Sequence, residues 1–132
     1  MTDFCYDSDG VIRHDFSFVI GDDQTLTFET DKMSELDLEN STIFWNVYAM
    51  SFGVPIPNIA AVISKTSESE GGVTPIGSPE SFEVDMLRAD TVDLAPGNYY
   101  HEGTVVNNST NDFTTVIRGT VTLTNTLNRP EA

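Results

Sequence analysis

Two imidazoles, one thiol and 21 carboxylates are the groups from which this chain would have to build a reaction or a metal site. Nucleophilic catalysis needs a Ser, Cys or Thr beside a base that a third group orients. His14 and His101 are the only imidazole bases, and no G-x-S-x-G elbow or comparable motif places a nucleophile. Cys5 sits in an acidic segment, which is no setting for the electropositive pocket that activates a thiol. As a single cysteine it makes no intrachain disulfide and excludes the Cys-rich zinc modules. A pair of carboxylates with separated roles would serve a small glycoside hydrolase, but with so many acids no pair stands out from chance. Asp7-Ser8-Asp9-Gly10 has the centre of a calcium loop. In that register, however, Cys5 falls on the first ligand position and Phe16 on the closing Glu, so the template fails. Asp22 and Asp23 with Asp31, or Asp85 with Asp90 and Asp93, are loop acids that could meet around calcium at one end of a β-sandwich. The plainer account is that a chain of net charge −15 carries acids in its loops. His14 and His101 as a zinc pair lack two further nameable ligands. The expectation is a non-enzyme with no catalytic, cofactor-binding or metal-binding residue.

Charge narrows the partners. The six basic residues, Arg13, Lys32, Lys65, Arg88, Arg118 and Arg129, are scattered singly through 132 residues and form no patch. A domain at −15 repels phosphate backbones and anionic bilayers, so neither nucleic acid nor membrane is expected as a partner, nor is a small-molecule substrate. No apolar run approaches the roughly 18 residues of a membrane-spanning helix. The opening MTDFCYDSDG has acids where a secretory signal carries a basic region and an apolar stretch, so assembly in a cytoplasm is expected. The sequons at Asn40 and Asn108 carry no weight in that setting. Glycan binding would use exposed aromatics beside amides: Tyr48, Phe52, Tyr99, Tyr100 and Phe113 next to Asn46, Asn98 and Asn107. Trp45, the only tryptophan, is expected in the core.

The elements that must position these groups read as strands. Apolar residues alternate with wetter ones along Phe16-Phe18-Ile20, Leu26-Phe28, Ile43-Trp45-Val47-Ala49, Phe82-Val84-Met86 and Ile117-Gly119-Val121-Leu123. Period-two alternation gives each strand one face for the core and one for solvent. Turn residues at 21–24, 53–58, 70–72, 75–79 and 107–112 punctuate the runs. Seven or eight short strands in about 110 residues predict an all-β, antiparallel β-sandwich. One helical turn is expected within Leu87 to Leu94, and Gly71 to Ser81 reads as a long irregular excursion. The expected organisation is an acidic arm over 1–15, the sandwich over 16–124 and a polar tail over 125–132. Sandwich edges invite pairing with neighbours. IAAVISKT, with apolar residues on both faces, and the proline-broken segment before it read equally as core or as a docking edge, which makes Val54, Ile56, Ile59, Val62 and Ile63 the candidate interface.

The stretch from Phe82 to Leu123 carries a family resemblance. FEVDM leads into R-A-D-T-V-D-L-A-P-G-N-Y-Y-H-E, then a polar hairpin, then T-V-I-R-G-T-V-T-L-T. The earlier G-D-D-x-x-x-L-x-F and D-L-x-N-S-T-I-x-W-x-V are compatible with it. This order resembles the immunoglobulin-like domains of tailed bacteriophages, such as the amino-terminal domain of upper baseplate proteins and small virion proteins of similar size. The strand order matches over roughly 16–124, and specific letters match mainly over 90–100 and 116–121. The shared letters have packing roles: Leu94 closes the sandwich bottom, Pro96 and Gly97 turn the chain, and Tyr99 or Tyr100 serves as a tyrosine corner. His101 and Gly103 depart from the family's alternation of bulky apolar residues. The resemblance implies a structural virion component of tail, baseplate or head, docked on other virion proteins and repeated by the assembly's symmetry. A capsid decoration (cement) protein is one variant of that reading. A carbohydrate-binding or host-adhesion module is the alternative.

Overall fold

In the computed structural model, residues 5–6, 11–29, 40–51, 54–55, 60–68, 71–77 and 80–125 are described. Their strands are β1 (Cys5–Tyr6), β2 (Ile12–Arg13), β3 (Phe16–Val19), β4 (Gln24–Glu29), β5 (Ser41–Ser51), β6 (Val54–Pro55), β7 (Ile63–Thr66), β8 (Val73–Gly77), β9 (Glu80–Met86), β10 (Gly97–Asn107) and β11 (Phe113–Thr124). A single turn of helix, α1 (Arg88–Thr91), falls between β9 and β10, inside the stretch where the sequence places it. Two sheets result. The small one runs β4-β9-β8; the large one runs β1-β2-β11-β10-β5-β6, with β3 also along β11 and β7 along β5. The sheets pack as an all-β sandwich.

The inward residues of the alternating runs make the core. Phe28 from β4, Phe82 and Val84 from β9, Trp45 and Val47 from β5, and Ile117, Val121 and Leu123 from β11 are all at most 2% exposed. Full burial of each such side chain is worth about 1.5–3 kcal/mol. Along β11 the alternation breaks once. The register to β10 shifts at Gly103/Thr104, so Val116 and Ile117 are consecutive yet both buried. A bulge of this kind turns two neighbouring side chains to one side.

Three sequence expectations are corrected. The sandwich is not antiparallel throughout, because β11 runs parallel to β2 and β3. The ladder takes in Ile12–Arg13 and Cys5–Tyr6, upstream of the boundary at 16, because Val11 is buried at 2% exposure. The stretch read as an irregular excursion contains β8, paired with β9 from Val73 to Gly77. Its Pro75 is tolerated because β8 is an edge strand.

The turn at Gly21, which has a positive φ of 86°, carries the chain from the large sheet to the small one. It is tied to α1 twice: the Gly21 N–H donates to the buried Thr91 hydroxyl at 2.8 Å, and the Arg88 N–H donates to Asp23 Oδ1 at 2.8 Å. On the other side of the sandwich, Lys65 of β7 reaches Asp90 of α1 at 2.7 Å.

Candidate functional site

The outer face of the large sheet is set by register. Tyr100 lies between Tyr48 of β5 and Thr120 of β11; Glu102 lies between Asn46 and Arg118; Thr104 lies beside Phe44. Since His101, Gly103 and Val105 point inward, their neighbours Tyr100, Glu102 and Thr104 take the outer side. The Tyr48 and Tyr100 rings lie 6.3 Å apart, and the Tyr100 hydroxyl donates to Glu102 Oε2 at 3.1 Å. Partial burial raises the pKa of both tyrosines, with the Glu102 charge adding to it. Arg118 opposes part of that shift at Tyr100, and a hydrogen bond from Asn46 opposes it at Tyr48. Both phenols are therefore held protonated, able to donate hydrogen bonds. On the described outer face Glu102 lies opposite Arg118, and Arg13 of β2 lies beside Arg118. At the margin Arg13 pairs with Asp15 at 3.4 Å. Within a chain of net charge −15, this is a neutral patch bearing Tyr48, Tyr100 and Phe44.

Beneath that face lies a buried polar centre. In immunoglobulin domains a tryptophan on the third strand packs against a disulfide joining the second and sixth. With one cysteine, this chain fills the same place differently. Trp45 packs on Phe28 of β4, ring centroids 5.8 Å apart, and on His101 of β10, also at 5.8 Å. His101 is wholly buried, stacks on Phe28 at 5.7 Å, and accepts a hydrogen bond at Nδ1 from the Trp45 indole N–H at 3.1 Å. Its Nε2 lies 2.6 Å from the His14 carbonyl oxygen. A carbonyl only accepts, so the proton sits on Nε2 and the ring is the neutral Nε2–H tautomer. Burial lowers its pKa to about 4.

That bond bends the amino-terminal strand. The His14 N–H still donates to the Arg118 carbonyl at 2.9 Å, but the His14 carbonyl turns inward to His101. Asp15 replaces it in the ladder, its Oδ1 accepting the Thr120 N–H at 2.8 Å. Gly119 makes room, since a Cβ there would run into the His14 carbonyl.

The corner residues form one unit. The Tyr99 hydroxyl donates to the Ala95 carbonyl at 2.7 Å, so Tyr99 is the tyrosine corner, two residues before His101. Leu94 packs on the core, Pro96 is exposed, and Gly97 takes the left-handed φ of 143°. Tyr100 belongs to the outer face. Among the candidate interface residues, Ile63 is in the core at 5% exposure and Val62 is exposed at 38%. Val54 pairs through β6 with Ser51, while Ile56 and Ile59 lie outside the described residues. Of the glycan candidates, Phe113 is 74% exposed at the start of β11, and Phe52 lies outside the described residues.

The loop acids are engaged locally. Asp85 accepts from the Thr25 hydroxyl at 3.0 Å, Asp23 from the Arg88 N–H, and Asp90 from the Leu87 N–H at 2.7 Å. Asp31 lies outside the described residues, and among those described no three His, Cys, Asp or Glu side chains gather around a possible ion. A groove of about 720 Å³ runs between β7 and β8 past Lys65, Thr74 and Asp85. Sequence reading named the tyrosines and Asn46 but missed His101 as the centre. The available signal was its spacing two residues after the corner tyrosine.

Compared with known proteins, the chain matches no family model and no curated relative.

Proposed function

We propose that this protein is a structural component of a bacteriophage virion, docking on a neighbouring protein of the particle through the outer face of its large sheet. One observation carries the reading: the face holding Tyr48, Tyr100 and Phe44 is neutral while the chain as a whole is at −15. Tyrosine and arginine dominate binding hot spots because they bring rigid area and hydrogen bonding together. A neutral patch also lets an acidic partner approach without repulsion. The virion setting is supported by the resemblance of the 82–123 segment to phage immunoglobulin-like domains. Host-glycan adhesion is the second reading, favoured by Tyr48 and Tyr100 lying beside Asn46.

The test is photo-crosslinking within purified particles, with a benzophenone side chain replacing Tyr48 in one variant and Thr27, on the small sheet, in another. Cross-links to a second virion protein from position 48 and none from position 27 support the reading. Absence of the chain from particles, or cross-links from position 27 alone, overturns it. Glycan-array binding lost with Tyr100→Ala would favour adhesion instead.

A further inference from the structure

We infer that His101 is a proton-sensitive latch on the amino-terminal strand: adding a proton to its buried ring releases Val11 to Val19 from β11 ahead of the rest of the sandwich. The latch rests on hydrogen-bond polarity. Neutral His101 accepts from Trp45 at Nδ1 and donates to the His14 carbonyl at Nε2, and both bonds are made in the core. Imidazolium carries a proton on each nitrogen, so Nδ1–H would face the Trp45 N–H, donor against donor. Among the described residues the rings packed around His101 are Phe16, Phe28 and Trp45, and none of them offers an acceptor in its place. A buried charge without a partner is the costliest arrangement a core can hold. The segment that can yield is the one bound through His14. Its hold on β11 is a short parallel pairing, Ile12–Arg13 and Phe16–Val19, bridged between them by the His14 N–H and the Asp15 carboxylate. By contrast, β10 is paired with β11 over ten positions and with β5 over nine. Releasing the strand hydrates His101 and leaves β11 with an unpaired edge, a template for strand addition by another chain.

The titratable groups facing His101 come from the strand itself. His14 adds positive charge when protonated and disfavours a second proton; Asp15 favours one. β4 and β5 contribute Phe28 and Trp45, which carry no charge. The sign follows from linkage. Closed, His101 protonates near pH 4; open and hydrated, near 6.5. Between those values the open form binds the extra proton, so opening grows about tenfold for each pH unit lowered and flattens below pH 4. Over the window this amounts to about 300-fold.

Hydrogen exchange followed by mass spectrometry from pH 7 to 4, corrected for the intrinsic chemical rate, reads the opening. The expected result is a rise of about 300-fold in opening for peptides covering 11–19, with peptides from β5 lagging behind. In His101→Gln, whose amide can accept from Trp45 and donate to His14 without titrating, the rise should shrink at least tenfold. His14 is retained in that variant, so any residual slope is its own. An undiminished rise in the Gln variant overturns the latch. So does joint opening of 11–19 and β5 in the wild type, which would make His101 a general stability group. Should the Gln variant not fold, the wild-type His101 imidazole shift by NMR decides. A midpoint near 6.5 with the strand still protected refutes the proposal, and one near 4 with the strand exposed supports it.

Discussion

The two sheets share one core and differ in nearly everything outside it. The small sheet turns Thr25, Thr27 and Glu29 of β4 and Glu83 and Asp85 of β9 to solvent, three carboxylates with no cation on these two strands. The Thr25 hydroxyl bonds Asp85 across the pair. The large sheet turns out tyrosine, phenylalanine and amide side chains, with Glu102 opposite Arg118 and Arg13 paired to Asp15. Both faces satisfy the alternation that a sandwich requires, so folding alone does not account for the contrast. An acidic, threonine-rich face is well hydrated and keeps copies apart. A neutral face with half-buried aromatics loses less hydration when covered. The difference teaches where a partner can sit.

The sheets differ equally in what holds them, and the largest expected effect tests that. Gly119→Ala places a methyl against the His14 carbonyl and the Asp15 carboxylate, so the amino-terminal strand must move away from β11. The expected loss is about 3 kcal/mol, at the upper end for overpacking. Thr27→Ala, on the exposed face of the small sheet, should cost less than about 0.5 kcal/mol. Urea unfolding midpoints at constant slope measure both. Similar losses from the two variants would show that the junction at His14 and Asp15 is no more demanding than an ordinary strand surface.

A smaller effect should separate the faces in binding. Tyr100→Ala removes the ring beside Tyr48 and the hydroxyl bonded to Glu102, and should weaken docking by about 2 kcal/mol, roughly 30-fold. Thr27→Ala should leave docking unchanged. Competitive incorporation of tagged variants into particles reads both, and equal incorporation of Tyr100→Ala and wild type would remove the distinction between the faces.

How much of this the sequence disclosed depends on range. Alternation is local, so the strands of Trp45, Phe82 and Val121 were legible, as was the turn of helix after Met86. The tyrosine corner was legible only as Tyr99 or Tyr100, and the bond that selects Tyr99 reaches four residues back to Ala95. What stayed hidden depends on pairing between distant segments. His101 looks like an interruption of a strand until Trp45 and the His14 carbonyl, 56 and 87 residues away in sequence, are seen on its two nitrogens. Parallel pairing of β2 and β3 with β11 leaves no local mark, since a parallel ladder has no turn to announce it. The outer face was half legible: Tyr48, Tyr100 and Asn46 could be named, but their grouping requires the register of β5 against β10.

The mildest perturbation sharpens the comparison most, because it changes charge without removing a ring. Arg118→Glu and Arg88→Glu alter the net charge of the protein by the same amount. Arg118 lies opposite Glu102 on the large sheet, whereas Arg88 lies in α1 between the sheets' ends. If repulsion acted through total charge, both variants would slow docking equally. If the neutral face is the contact, Arg118→Glu alone turns it acidic and sets like charges opposite one another across β10 and β11. Its association rate should fall on the order of tenfold at low salt, against a much smaller change for Arg88→Glu. The gap should close as salt shortens the screening length to a few ångströms. Stopped-flow association across an ionic-strength series measures this, and equal slowing of the two variants would mean that the face has no electrostatic identity of its own.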